Sequence, residues 1–246
     1  MEPATAQSLI ALNRQFYQTF AASFSATRRR LQPGVLGIIQ RIPQDASILD
    51  IGCGNGELWR FLCHHGFQGR YTGVDFSPAL LDIAAGQGVG SPQAGSIPEA
   101  AFLVADLAEP GWDANLPQYP YDFILAFAVL HHLPGSELHL RLLEKIRDQL
   151  APGGTFFLSV WQFLNSPRLA ARLQPWEKAG LEAAQVDPGD YLLDWRQGGS
   201  GLRYVHAFDS AELGRLARAS GFSVREEFLS DGENSRLGLY QAWQPE

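Results

Sequence analysis

The chain has 246 residues, 46% of them hydrophobic and 18% charged, with a net charge of -7 and a pI of about 5.4. These values fit one globular α/β domain, and they exclude a generally basic surface for nucleic acid, so any RNA contact must be local. Two cysteines, Cys53 and Cys63, make neither a disulfide framework nor a metal cluster, and the longest apolar run, 123–130, is too short to span a bilayer. With no basic start or apolar core of a signal peptide at Met1-Glu2-Pro3-Ala4, the expectation is a cytoplasmic protein without a membrane partner. Arginine supplies nearly all the positive charge, since Lys145 and Lys178 are the only lysines.

Residues 5–30 carry Leu9, Leu12, Phe16, Tyr17, Phe20 and Phe24 at helical spacing and close on Thr27-Arg28-Arg29-Arg30. This predicts an amphipathic helix, in which Tyr17 is either core or part of a site. Pro33 opens a second helix to about Arg41, and Pro43 stops it. Residues 1–45 thus read as a helical cap beside the mouth of a sheet.

Ser47-Ile48-Leu49-Asp50-Ile51-Gly52-Cys53-Gly54-Asn55-Gly56-Glu57 reads as a buried strand, a tight glycine turn and the start of a helix. Glycine lets the chain turn with φ > 0 and lets a ligand lie against bare amides. The dinucleotide fingerprint G-x-G-x-x-G needs glycine where Glu57 stands, and Asp50 with Glu57 would repel a pyrophosphate. A cationic ligand is not repelled, and the charge logic points to S-adenosylmethionine. A turn whose glycines only ease packing is the alternative.

Further on, residues 71–75 predict a second strand ending at Asp75, and Phe76-Ser77-Pro78 opens a helix, with Ser77 a candidate N-cap. Asp75 then points into the crevice at the carboxyl edge of the sheet. Residues 84–100 predict a mobile loop, 101–105 a third strand followed by Asp106, and 110–120 another loop. The run 123–130 reads as a central parallel strand into its exit loop, followed by His131-His132. A helix through Leu138 to Leu150 ends at Pro152-Gly153-Gly154, before a strand over 155–160 and Trp161. The last third predicts a helix over 167–184, an irregular stretch around Tyr191, Trp195 and Gly198-Gly199, and a helix with Asp209 and Glu212 as a capping box, ending at Gly221. Strands near 223–229 and 237–243 close the chain. The fold class expected is α/β, a doubly wound, seven-stranded, mostly parallel sheet with an N-terminal helical cap and an antiparallel C-terminal hairpin. It forms a single domain, with the cap at 1–45, a cofactor-binding core at 46–162 and substrate-side helices and closing strands at 163–246.

Asp50-Ile51-Gly52-Cys53-Gly54-Asn55-Gly56 resembles motif I, D-x-G-x-G-x-G, of the class I S-adenosylmethionine-dependent methyltransferases, and Leu150-Ala151-Pro152-Gly153-Gly154 is similar to another family hallmark. The resemblance implies S-adenosylmethionine as cofactor, held by Asp50, Gly52, Cys53, Gly54, Asn55, Gly56, Asp75, Phe76, Asp106, Leu107 and Phe127. Within that set it implies that Asp75 accepts the ribose hydroxyls and Asp106 the adenine amino group.

Phe24-Ser25-Ala26-Thr27-Arg28, the Ala128 to Leu133 segment with its two histidines, Val160-Trp161, Trp195, Arg203-Tyr204-Val205-His206 and Asn234 occur in that order. Together they resemble the tRNA methyltransferases that esterify 5-carboxymethyluridine at the wobble position, whose eukaryotic members act with a small zinc-binding activator protein. That implies tRNA as partner and Arg28, Arg203, His206, His131 and His132 as groups around the acceptor, with Trp161 a pocket wall. A carboxylate acceptor arrives ionised and needs orienting cations, not a base. The alternative is a small-molecule O- or N-methyltransferase. For a phenol or ammonium acceptor, His131 or His132 would have to remove a proton.

Overall fold

The computed structural model describes residues 1–26, 30–86 and 99–246. Arg28 and residues 87–98 of the 84–100 segment lie outside the described residues. Helix α1 (Pro3–Ala26) and helix α2 (Pro33–Ile39) precede strand β1 (Ser47–Ile51). Then follow α3 (Glu57–His64), β2 (Arg70–Asp75), α4 (Pro78–Gly86), β3 (Glu99–Val104), β4 (Tyr121–Phe127), α5 (Ser136–Gln149) and β5 (Leu150–Trp161). The last part holds α6 (Pro167–Ala170), β6 (Leu173–Gln174), β7 (Asp190–Trp195), β8 (Gly201–His206), α7 (Ser210–Ala219), β9 (Phe222–Ser230) and β10 (Gly238–Pro245).

Seven strands form one sheet in the order β3-β2-β1-β4-β5-β10-β9. The first five are parallel, and β10 runs antiparallel to both β5 and β9. Successive side chains of a strand face opposite ways, so a strand covered on both faces is apolar at most of its positions. All five residues of β1 are buried. Leu49 and Ile51 join Ile124, Ala126, Phe156 and Leu158 against α5 and α7, through Leu142, Leu143, Leu213 and Leu216. Ile48, Leu125 and Phe157 face the other way, against Val35 and Ile38 of α2 and Leu58, Trp59 and Leu62 of α3. This two-sided covering is the doubly wound arrangement that the sequence predicts.

The last third departs from expectation. In place of a helix over 167–184, α6 has four residues and gives way to β6 and two short 3-10 turns, Trp176–Ala179 and Ala183–Gln185. Pro175 lacks an amide hydrogen and forces its predecessor out of the helical region, and Gly180 turns left-handed at φ +70°, so a continuous helix cannot pass. In place of an irregular stretch, β7 and β8 form an antiparallel hairpin that pairs with β6 as a second, three-stranded sheet. Gly198 and Gly199, at φ +70° and +140°, make its turn.

Smaller shifts have local causes. β4 stops at Phe127 because Ala128 adopts φ +58°, a left-handed conformation rare for a residue with a Cβ. β5 begins at Leu150 rather than 155, with its register to β4 shifting between Tyr121 and Phe123. A Cβ on Gly154 would lie within 3.1 Å of three carbonyl oxygens there. The 110–120 loop is pinned, because Trp112 and Leu116 enter the core. At α7 the capping box is half formed: Asp209 accepts from the Glu212 amide, while the Glu212 carboxylate turns to His206.

Candidate active site

The carboxyl ends of β1, β2, β4 and β5 open into a cavity of about 550 Å³, roofed by α1. Open parallel sheets bind ligands at this edge. Gly52, Gly54 and Gly56 all have φ between +56° and +72°, and the amides of Gly52 and Cys53 both donate to the Val74 carbonyl. A Cβ on Gly52 would meet Val129 at 2.6 Å, whereas Gly54 faces open space at the cavity wall. Gly56 does not line the cavity; it starts α3 against Ala84, so its role is helix entry and packing, not the ligand contact expected of it.

Asp75 accepts from the Gly54 amide (3.0 Å) and the Ser77 amide (2.9 Å), which fixes the glycine turn to the end of β2. Asp50, 4% exposed, accepts from the Tyr71 hydroxyl at 2.6 Å. Burial pushes the Asp50 carboxyl up to about 7, with Tyr71 opposing and Asp75 adding. Burial also raises Asp75, against the backbone amides of Ser77, Gly54 and Phe76. Two buried carboxyls that resist ionising side by side make a pocket that favours a cation and disfavours phosphate. Cys53 between them is held far up as a neutral thiol, chiefly by burial and then by the two aspartates, so it packs and does not react. Phe76, Asp106, Leu107, Asn55 and Phe127 line the cavity too. Asp106 accepts from the Ala108 amide at 2.9 Å and from Arg14 of α1 at 2.5 Å.

Farther along the cavity stand His131, His132, Trp161, Tyr17 and Arg203. Arg203, 5% exposed, sits in an aromatic box, its guanidinium carbon 4.7 Å from the Trp161 ring centre and 5.6 Å from those of Phe16 and Trp195. Tyr17 serves both alternatives raised for it, packing against Phe16 and Phe76 while its hydroxyl meets His132 Nε2 at 2.7 Å. His132 Nδ1 lies 3.4 Å from the Tyr204 carbonyl, and His131 Nδ1 faces the Trp161 amide at 3.3 Å. Tautomers follow from partners. A carbonyl only accepts, so neutral His132 carries its proton on Nδ1 and takes the Tyr17 hydroxyl proton at Nε2. An amide only donates, so His131 accepts at Nδ1 and carries its proton on Nε2.

His206 is not at this site. It lies three positions after Arg203 on β8, and an odd spacing on a strand places two side chains on opposite faces. It is buried between Asp190 (2.6 Å) and Glu212 (3.0 Å), joining the small sheet to α7. Burial alone would lower its pKa, but the hydrogen bonds and charges of Asp190 and Glu212 outweigh it and raise it to about 9. A group raised in the fold stabilises below its unfolded value, and that stability is lost as pH rises through the folded value. Unfolding measurements across pH are therefore expected to show a decline between 6.5 and about 9 that His206→Gln removes. Asp50, raised from 3.8, adds a decline between that pH and about 7 that Asp50→Asn removes.

Asn13 and Arg14 of α1, not among the candidates that the sequence offers, also line the cavity. Asn13 had a signal: it is a lone amide on the face that carries Leu9, Phe16 and Phe20. Among the described residues, no cluster of three or more His, Cys, Asp or Glu could hold a metal ion, and no helix is long and apolar enough to cross a membrane.

A family model described as a methyltransferase domain matches residues 23–227. A tRNA (carboxymethyluridine(34)-5-O)-methyltransferase of Schizosaccharomyces pombe is 26% identical over 222 residues, 86% of this chain and 89% of that protein. A trans-aconitate 2-methyltransferase of Streptomyces avermitilis is 36% identical over 141 residues, 57% of this chain but only 48% of that protein, so the match spans about half of it. Among solved structures, an S-adenosylmethionine-dependent methyltransferase of Methanosarcina mazei shares the fold with a TM-score of 0.66 at 22% identity, over 87% of this chain and 98% of that one. With the glycine turn, the acid-ended β2 and this strand order already in place, the chain belongs to the class I S-adenosylmethionine-dependent methyltransferases.

Proposed function

We propose that this enzyme transfers a methyl group to a carboxylate oxygen, forming an ester, and that its acceptor is the carboxymethyl group of wobble uridine in tRNA. The observation that carries the carboxylate reading is the set of groups that face the ring nitrogens of the two cavity histidines. The Trp161 amide occupies the imidazole lone pair of His131, and the Tyr17 hydroxyl occupies that of His132. Neither is poised to remove a proton from a phenol or an ammonium. A carboxylate, with a pKa near 4, has no proton to lose.

The cavity fits the cofactor, since Asp50 and Asp75 favour a cation and Gly54 leaves its backbone open. Asp75 would hold the ribose hydroxyls, Asp106 and Leu107 the adenine, and Asp50 with the 52–55 turn the charged methionine end. When bound, S-adenosylmethionine supplies a methyl activated on a sulfonium, whose C–S electron pair returns to sulfur as an acceptor oxygen takes the carbon. The chain's own task is placement, which can contribute about 7 to 11 kcal/mol. Arg203 orients the acceptor carboxylate, with His131 beside it, and Trp161 walls the acceptor in.

The relative matched over most of its length acts on a carboxymethyl nucleoside, and the trans-aconitate relative also takes a carboxylic acid. The net charge of -7 favours the second, small-molecule reading. Incubation with methyl-labelled cofactor, first with tRNA bearing 5-carboxymethyluridine and then with trans-aconitate, separates them. Alkali-labile label on the nucleoside is the expected result, label on aconitate alone supports the second reading, and alkali-stable label defeats the carboxylate class.

A further inference from the structure

Asn13 belongs to α1, near the middle of its buried face, and is 6% exposed. Its side-chain amide nitrogen donates to the His132 carbonyl at 2.9 Å and to the Tyr204 carbonyl at 3.1 Å. Its oxygen accepts from the Tyr204 amide at 2.8 Å. A carboxamide has two hydrogens and one oxygen to offer, and all three are spent on backbone. With Tyr204 it forms the two-way pairing that a neighbouring strand would make on the open edge of β8.

The three segments tied by this one side chain each carry a group of the acceptor end of the cavity. α1 brings Tyr17, one turn after Asn13; β8 brings Arg203, next to Tyr204; the 3-10 turn Leu130–His132 brings both histidines. The Tyr204 carbonyl that receives the Asn13 amide is the same one that faces His132 Nδ1. We propose that Asn13 is a positioning residue for the acceptor site, setting the His132 tautomer and the place of Arg203 through Tyr204 without touching substrate. The word acceptor here rests on the proposed function; the positioning itself does not.

Asn13→Asp keeps the size and reverses the chemistry, since an ionised carboxylate would face two carbonyl oxygens. The expected loss is about 100-fold in kcat/KM for the acceptor, the fold-change of one or two buried hydrogen bonds broken with their carbonyls left unpaired. Cofactor affinity by calorimetry stays within about threefold, because the Asn13 hydrogen bonds go to the backbone of His132 and Tyr204 and not to the 50–55 turn or Asp75. Acidification partly restores the variant, since a protonated carboxyl regains one donor, while the parent shows no such rise. The second readout is side-chain ¹⁵N NMR of the histidines, which needs no acceptor. In the parent, His132 shows the proton on Nδ1, and in Asn13→Asp that signature shifts to a mixture. If Asn13→Asp does not fold, Asn13→Ser, which keeps one donor and one acceptor, carries the same measurements. Unchanged His132 shifts overturn the proposal whatever the acceptor proves to be, as does a parallel loss of cofactor affinity and turnover. Shifted His132 signals in a protein that methylates no carboxylate would leave positioning standing and remove the proposed function instead.

Discussion

Replacing Arg203 with methionine is expected to lower kcat/KM for the acceptor by about 10²- to 10³-fold while leaving cofactor affinity unchanged. The scale is that of losing a buried, charge-assisted contact to a charged substrate group, about 2.7 to 4 kcal/mol. Arg203 is nearly enclosed by Phe16, Trp161 and Trp195. Methionine fills that box with a similar volume and no charge, so the fold is expected to survive. Lysine does not rescue, because a compact ammonium neither stacks among three rings nor presents a fork to a carboxylate. Steady-state kinetics with each substrate varied in turn, beside calorimetry for the cofactor, reads the split. Equal losses on both sides would place Arg203 in the general fold instead.

The second large effect falls on the cofactor. Asp75→Asn is expected to weaken S-adenosylmethionine binding by about 100-fold and to lower the unfolding midpoint. Asp75 receives two backbone amides, from Gly54 and Ser77, on separate oxygens. An asparagine keeps one acceptor but turns an NH₂ group toward the other amide, so the glycine turn loses its anchor to β2, and the ribose contact proposed for Asp75 loses an acceptor. The paired measurement is calorimetry and thermal unfolding on the same sample. A variant with parental affinity would show that the end of β2 takes no part in binding.

The glycine turn and the acid-ended strand beside it were legible in the sequence because their signals are local. A short apolar run stopped by glycines, and an aspartate at a strand end, each fix backbone and direction within a few residues. The two-sided burial of β1 and of the inner parts of β4 and β5 follows from short, mostly apolar runs in the same way, interrupted by Asp50 in β1 and Ser159 in β5. The acceptor half was less legible, because it is assembled by tertiary contacts. A helix is expected over 167–184, yet Pro175 and Gly180 break the stretch, which holds α6, β6 and two turns. The Arg203-Tyr204-Val205-His206 resemblance puts His206 with Arg203 at the acceptor, but strand alternation sends it to a different face, where Asp190 and Glu212 hold it. Asn13 carried a visible mark, an amide within an apolar stripe, but its partners lie 119 and 191 residues away. No window of sequence contains such a pairing.

The claim on which the account turns is that the acceptor reaches the enzyme already ionised, so that no imidazole need take a proton. The direct measurement is kcat/KM for the acceptor against pH, with the cofactor saturating. A profile flat from about pH 6 to 8, unchanged in shape by His131→Gln or His132→Gln, is the predicted result. A limb that rises with an apparent pKa near 6.5 and disappears in either variant would contradict it, and would make that histidine the base for an acceptor that must first lose its proton.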